Sequence, residues 1–493
     1  MQKEFIYLHH GYISIPNYNK GECPYLENIL SWYDETYHNR HYDGMYYNEE
    51  TKELRIPLGF GANSAAKMLN RIPKAEYIPD EPRPININLT VPPRDAIQSD
   101  IIRFVVDGTV KYSQAAIVAS TGIGKTYCAI ASAVSYKFAT LVICHRNKLR
   151  VHWGEKIPKY TSAKGKNDIL ILDSSTKMLK LLDSKKPIKY KFISTTHAVL
   201  ASFAKRYGWE KVRELTKRLG IGFLIIDEVH RCFANTIKIL THTNVKKYLL
   251  LTATFKRSNR FENRIFHSCF SCVPKYVQAN VTGERSQKHI SGMVIEYNSS
   301  PSMEVQLSCE SPVGGISSPW YVNWVVEKDP LFYKVFASIL GRCVDGTKPF
   351  GGKGMVMCGS IHACGAIAEF VKKSLGNDIK IGVYNSGVKM KESDKIKLTE
   401  TCDLIITTSS SLGEGTDMDK LHYVIDIETY RSEILAEQIP GRLRDLKDGH
   451  YYHYIKICNI GFTKAANQLQ DCIRTYEKNM KSLNIIRWKP KTQ

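Results

Sequence analysis

The sequence predicts an α/β protein: two parallel-sheet domains in tandem, preceded by a small α+β domain at the N-terminus. Three observations lead there. At 493 residues the chain is too long for one hydrophobic core, since cores stop growing near about 250–300 residues. Between about 95 and 255, apolar runs alternate with helix-like segments: AAIVAS, TLVICH, DILILD, KFISTT, FLIIDE and YLLLTAT. From residue 353 the alternation resumes with KGMVMCGS, IKIGVYNS, DLIITTS, YVIDIE and YYHYIKI. Continuous apolar strands separated by helices are the mark of parallel sheets covered on both faces.

Residues 1–90 are rich in Tyr, His, Asn and Pro and carry short alternating runs such as ELRIPLGF, which predicts a small domain with several strands; as an accessory to the larger domains, its expected role is to select the substrate. The proline-dense YIPDEPRPININLTVPPR (77–94) is an extended connector. Residues 91–285 hold the first parallel-sheet domain and 346–493 the second. Between them the rhythm breaks: SCESPVGGISSPW has loop character, and EKDPLFYKVFASILGRC predicts a helix entered through Asp-Pro, so 286–345 are expected to be a linker or insertion.

Composition narrows the class. Hydrophobic residues make up 43% and charged residues 24%, as in ordinary globular proteins. The balance of 69 Lys plus Arg against 48 Asp plus Glu leaves +21, which points to a polyanionic partner such as nucleic acid. No apolar run reaches the roughly 18 residues of a membrane span, and MQKEFIYLHHGYISIPN lacks the features of a secretory signal. Thirteen scattered cysteines are expected to be reduced thiols. Cys269 and Cys272 have the spacing of half a zinc site, but no second pair follows. The expectation is a soluble intracellular protein.

The chemistry concentrates at two places. ASTGIGKT (119–126) follows a strand-like run and precedes the helix-like TYCAIASAVSYKF, the setting of a phosphate-binding loop. Ala119 replaces the usual first glycine and is small enough for the turn. Ser120, Thr121, Gly122, Ile123 and Gly124 form the cradle, Lys125 reaches the β- and γ-phosphates, and the Thr126 hydroxyl ligates Mg²⁺. About a hundred residues later, FLIIDEVH places two carboxylates at the C-terminal tip of an apolar strand, where open α/β sheets bind ligands. Asp227 suits Mg²⁺, and Glu228 suits orienting and deprotonating a water. Together they describe a nucleoside triphosphatase.

TGIGKT, DEVH and the TAT ending at Thr254 resemble motifs I to III of the superfamily 2 DExH-type helicases, in that order. LVICHRNKLRVHW (141–153) is similar to the next motif, a strand followed by a helix ending in Trp, with His145 and Arg146 where Pro and Thr are usual. Gln98 resembles the adenine-reading glutamine, one residue further from Arg94 than usual. In the second domain, MVMCGSIHACGAIAEFV resembles motif IV, SSSLGEGTDM motif V with Gly415 and Asp417, and EQIPGRLRD motif VI with Gln438, Gly441 and Arg442. The last arginine of that motif is displaced: position 445 is Asp, and Arg444 is the alternative finger to Arg442.

The resemblance covers about 95–460 and implies two RecA-like domains with ATP and Mg²⁺ in the cleft between them, one domain supplying the loop and the other the arginine. It also implies that His230, Thr252 and Thr254 couple the ATP site to a nucleic-acid surface. Candidate backbone contacts there are Arg146, Lys148, Arg150, Thr195, Thr196 and the loop 408–411, with little sequence preference.

Among such helicases, the spacing from Ser386 to Ile425, the compact QIPGRLR and the stretch NRHYDGMYYNEETKELRIPLGFG are similar to phage UvsW-type enzymes, which remodel branched DNA. TATFKRSNR followed by RIFHS is also similar to poxvirus transcript-release helicases. DNA forks or junctions are therefore the expected partner, with RNA or a transcription complex as the alternative, and the bacterial host cytoplasm the location if the chain is phage-encoded. A restriction-type translocase subunit remains open too, although the short N-terminal region holds no nuclease-like carboxylate cluster. Tyr42, Tyr46 and Tyr47 could stack on unpaired bases or pack in a core.

Overall fold

The computed structural model describes residues 4–34, 38–76, 78–119, 123–253, 255, 260–277, 287–311, 315–376, 379–387, 390, 392–409, 411, 418 and 420–489. The chain divides into two compact units, Met1–Gln278 and Ala279–Gln493.

The first unit is built on a seven-stranded sheet whose order is Ile169–Ile171, Phe192–Thr196, Ala139–Cys144, Ile221–Ile226, Lys247–Thr252, Gln114–Val118 and Lys275–Val277. Every pairing is parallel. Successive residues face opposite sides, so one strand feeds two cores: Leu224 and Ile226 join one cluster, Phe223 and Ile225 the other. The second cluster lies under the helices Ala96–Tyr112, Lys125–Tyr136 and Asn147–Tyr160, which contribute Ile101, Ile130 and Trp153.

The other face carries a difference from the expected layout. The N-terminal residues form a five-stranded mixed sheet, in the order Tyr46–Asn48, Glu53–Pro57, Tyr12–Ile15, Phe5–Leu8, Ile72–Ala75. Its Ile6, Ile13, Leu54 and Ile56 lie in one continuous cluster with Leu240, Phe266 and Phe270. The approach is close enough that a Cβ at Gly11 would stand 2.5 Å from the Leu240 carbonyl oxygen, and one at Gly44 2.7 Å from Ile265 Cγ2. Polar ties add to it: Gln114 Nε2 donates to the His10 and Gly11 carbonyls at 3.1 and 3.2 Å, and Arg264 donates to the Ser31 carbonyl at 3.1 Å. The boundary expected near residue 90 is thus no break in packing. Composition marks a change of element type there, while the shared core rests on side chains 184 to 264 positions apart, which no local pattern reveals.

The second unit holds another seven-stranded, all-parallel sheet: Ile381–Tyr384, Leu404–Thr407, Lys353–Met357, Leu421–Asp426, Tyr452–Asn459, Ile290–Tyr297 and Ser482–Arg487. The stretch 286–345, expected as a linker, is part of this unit. Ile290–Tyr297 pairs with two strands, and the helices Ser318–Lys328 and Phe332–Thr347 bury Tyr321, Val325, Phe336 and Leu340 in its core. The strand escaped notice because ISGMVIEY is interrupted by Ser, Gly and Glu, so its apolar run is short. Both units are RecA-like in architecture, in tandem, behind the small N-terminal sheet.

Candidate nucleotide and nucleic-acid site

Three adjacent strands of the first unit, Ile221–Ile226, Lys247–Thr252 and Gln114–Val118, run parallel and end at one edge. The residues just past these tips carry the chemistry. Gln114–Val118 leads into the glycine loop, whose Ser120, Thr121 and Gly122 lie outside the described residues. Gly124 sits at φ +95° as the cap of the helix Lys125–Tyr136, a left-handed turn glycine adopts without strain. Lys125 opens that helix and donates from Nζ to the Ala119 carbonyl at 2.7 Å, and both it and Thr126 are half-buried. The Ala119 amide in turn donates to the Thr252 carbonyl at 3.1 Å, tying the loop to the third strand tip.

Gln98 is held against this loop. Its Nε2 donates to the Ile123 carbonyl at 2.9 Å and its Oε1 accepts from the Arg94 amide at 2.8 Å, deep in the protein. A Cβ at Gly124 would lie 2.3 Å from that Nε2, so a side chain there would push the Gln98 amide off the loop, in addition to the strain its backbone would impose. The side-chain amide of Gln98 grips the loop itself. Sequence reasoning offered it only as an adenine reader.

Asp227 and Glu228 stand at the tip of the central strand. The Asp227 amide donates to the Ile143 carbonyl at 2.9 Å and the Val229 amide to the Leu251 carbonyl at 3.0 Å, so the backbone is fastened to both neighbouring strands. Between these anchors Glu228 adopts φ +52°, a left-handed conformation that an L-residue other than Gly, Asn or Asp seldom takes and that gathers at functional sites. Both carboxylates are buried. Glu228 Oε2 lies 3.3 Å from His230 Nδ1, and the same nitrogen is 2.8 Å from Thr252 Oγ1. Asp227 Oδ2 accepts from the Trp153 indole at 2.8 Å. The expected partners therefore converge, except Thr254, which lies outside the described residues.

This edge suits a magnesium nucleotide. Hydroxyl and carboxylate oxygens, from Thr126 and Asp227, are the hard donors that Mg²⁺ takes, and the helix beginning at Lys125 supplies a positive pole for phosphate.

The expected nucleic-acid contacts separate into two groups. Arg146 caps the helix Asn147–Tyr160 and Lys148 lies in its first turn, both partly exposed. Arg150, Thr195 and Thr196 are buried and serve the fold: Arg150 Nη1 donates to the Leu172 carbonyl at 3.3 Å, Thr195 Oγ1 to the same carbonyl at 2.9 Å, and Thr196 Oγ1 accepts from the Val199 amide at 3.3 Å as a helix cap. Beside them His197 is buried, with its pKa driven down to about 3 by burial and by His145, and is neutral at pH 7. Of the three tyrosines, Tyr47 donates to the Tyr18 carbonyl at 3.1 Å and Tyr46 packs edge-on against His242, whereas Tyr42 is exposed. Cys269 is buried with its thiol toward the Gly44 carbonyl, and the Cys272 thiol meets the Phe60 carbonyl, so this pair sits in the seam with the N-terminal sheet.

In the second unit, Gln438 ends the helix Glu433–Gln438, Arg442 lies half-buried in the following 3₁₀ turn Pro440–Arg442, and Arg444 is exposed. Gly415 and Asp417 lie outside the described residues. At the loop 408–411, the Ser409 amide donates to Glu428 Oε1 at 2.8 Å, and Thr408 Oγ1 bonds Ser411 Oγ at 2.7 Å. Glu428 is a residue sequence reasoning missed. Burial, and then the neighbouring Asp426, push its carboxyl up to about 7. The one available signal was a second acid ending the apolar run YVIDIE.

Residues 93–257 match the family model described as type III restriction enzyme, res subunit, about a third of the chain. No curated protein matches the sequence. Among solved structures, the fold is similar to S. cerevisiae Dbp5 bound to RNA and ADP BeF3, with TM-score 0.53 and 13% identity over 80% of this chain and 89% of that one. It is also similar to the DEAD-box helicase Mss116 bound to ssRNA and UDP-BeF, with TM-score 0.55 and 12% identity over 80% of this chain and 75% of that one. The family match covers the segment that carries the glycine loop and the Asp227–Glu228 strand tip, and the solved structures share the tandem RecA-like fold. No helix among the described residues is long and apolar enough to cross a membrane.

Proposed function

We propose that this chain is an ATP-driven DNA translocase that remodels branched DNA, forks and junctions, in replication, recombination or repair. The observation that carries the motor reading is the convergence at one sheet edge of Lys125, Asp227 and Glu228 with the His230–Thr252 hydrogen bond. The basic surplus of +21 and the similarity to UvsW-type sequences support DNA as the track.

In this reading Lys125 and the N-terminus of its helix hold the phosphates, and Thr126 and Asp227 hold Mg²⁺, which screens phosphate charge when bound. Glu228 aligns a water and accepts its proton. Arg442, with Arg444 as rival, and Gln438 are the second unit's candidate catalytic residues, and Gly415 and Asp417 belong to the same nucleotide-responsive set. His230, Thr252 and Thr254 relay the state of the site, and Arg146 and Lys148 grip the sugar–phosphate backbone.

A second reading, an RNA-directed motor, is favoured by the RNA held in the Dbp5 and Mss116 structures. One experiment separates the two: ATP hydrolysis at fixed salt with single-stranded DNA, duplex, fork, four-way junction and single-stranded RNA, with Lys125→Ala as the blank. Strongest stimulation by fork or junction supports the proposal. Strongest stimulation by RNA replaces it with the second reading, and no stimulation by any of them rejects both.

A further inference from the structure

Trp153 is fully buried, yet its indole N–H is 2.8 Å from Asp227 Oδ2, the carboxylate at the tip of the central strand. A buried indole usually finds a hydrogen-bond partner; this one is aimed at the acid assigned to Mg²⁺. The helix Asn147–Tyr160 that carries Trp153 packs on the strands Ala139–Cys144 and Phe192–Thr196 through Leu149 and Ile157, so the donor rides on a rigid element. The Asp227 backbone is independently pinned through its amide to the Ile143 carbonyl. With the main chain held on one side and Oδ2 on the other, one orientation of the carboxylate is favoured over the rest.

The chemistry of the donor matters. A lysine or arginine in this place would also orient Asp227, but its positive charge would compete with a divalent cation. A neutral indole fixes the oxygen and leaves the negative charge for the metal. Burial alone raises the cost of ionising a carboxylate, and a hydrogen bond to the charged form offsets it. Outer partners of metal ligands do this work in known metal sites, at about 10–100-fold in affinity.

We propose that Trp153 is a positioning residue for the magnesium site: its indole N–H fixes the Asp227 carboxylate in the orientation that takes the cation. This rests on the nucleotide-site reading and deepens it.

The test titrates a fluorescent ADP into the full chain with Mg²⁺ and with EDTA. Trp153→Phe keeps an aromatic ring and removes the N–H. The expected result is EDTA affinity within about twofold of the parent, while the gain in affinity on adding Mg²⁺ falls by about tenfold or more. In an Asp227→Asn background, Trp153→Phe should produce no further loss of that gain, because the two changes remove one interaction. An unchanged Mg²⁺-dependent gain overturns the proposal, and so does an equal loss with and without Mg²⁺, which is general damage. Should Trp153→Phe fail to fold, the unaltered protein decides. Its Trp153 indole ¹H–¹⁵N signal, identified by its displacement in Asp227→Asn, should shift when Mg²⁺ is added to the ADP-bound chain, and a static signal overturns the idea. If Lys125→Ala leaves ADP binding untouched, the nucleotide-site reading is what fails.

Discussion

His230 and Thr252 meet through a 2.8 Å hydrogen bond between buried groups at the tips of neighbouring strands, with the same imidazole nitrogen 3.3 Å from Glu228. The tip of the strand Lys247–Thr252 is therefore linked to Glu228, the acid proposed to work on water, and the loop joins them through the Ala119 amide on the Thr252 carbonyl. Thr252→Val removes the hydroxyl and keeps the shape. The expected outcome is a fall of about tenfold in the ratio of nucleic-acid-stimulated to basal ATP hydrolysis, a coupling of about 1.4 kcal/mol. A ratio equal to that of the parent would remove Thr252 from the relay.

Glu228→Gln preserves size and takes away the proposed proton acceptor. Hydrolysis should fall by about 10²–10⁴-fold, while binding of fluorescent ADP stays within a few-fold of the parent. Single-turnover hydrolysis measures the first and a titration the second. Turnover at the parental rate would assign the base elsewhere.

Arg442 and Arg444 differ in setting, one half-buried in a 3₁₀ turn and one exposed. A fixed side chain stabilises a transition state better than a mobile one. Arg442→Ala is expected to lose about 10³-fold in kcat or more, and Arg444→Ala much less. The reverse ranking in steady-state kinetics would make Arg444 the finger.

Gly11 faces backbone. A Cβ there would lie 2.5 Å from the Leu240 carbonyl and 2.8 Å from the Thr243 carbonyl, neither of which can swing aside. Gly11→Val should cost about 3 kcal/mol or more, the upper range for overpacking, read as a lowered Tm of the first unit. An unchanged melting curve would mean that the N-terminal sheet is only loosely applied.

Glu428 sets a pH window. Its carboxyl ionises near about 7 in the folded chain against an ordinary 4.5. Below 4.5 both states are protonated, and the group's contribution is fully present. As pH rises from there through 7 the unfolded chain releases the proton first, so this contribution to stability declines. The facing groups are Asp426, whose Oδ2 lies 3.0 Å from Lys456 Nζ, and the hydroxyls of Tyr430 and Tyr454 on the same oxygen. Glu428→Gln should flatten the decline of Tm between pH 5 and 8, as followed by thermal melts; a slope equal to the parent's would show that Glu428 does not titrate in that range.

The parts of the site that the sequence made legible are those in which chemistry and backbone coincide within a few residues. ASTGIGKT is a strand, a turn and a helix start in eight positions, and FLIIDEVH is a buried strand with its acids attached. Both sheets were readable for the same reason, through apolar runs such as TLVICH and DLIITTS. Contacts set by tertiary packing were illegible. Nothing near Trp153 names Asp227 as its partner, and nothing near Gln98 says that its amide closes on Ile123. The residues Arg150, Thr195 and Thr196 show the converse. They have the polarity of nucleic-acid contacts and occupy the right motifs, but a threonine after a strand is as well suited to capping the next helix, which is what Thr196 does.

The N-terminal sheet has a consequence for how this chain is made. Its Ile6, Ile13 and Leu54 leave the ribosome well before their partners Leu240, Phe266 and Phe270, which lie 186 to 264 positions further along the chain. Synthesis runs at about 5–20 residues per second, so those strands wait on the order of 10–50 s for a surface to close on. During that interval their apolar faces are open to water and to other chains. The packing of the N-terminal sheet is therefore completed only once the distant half of the first unit has been made.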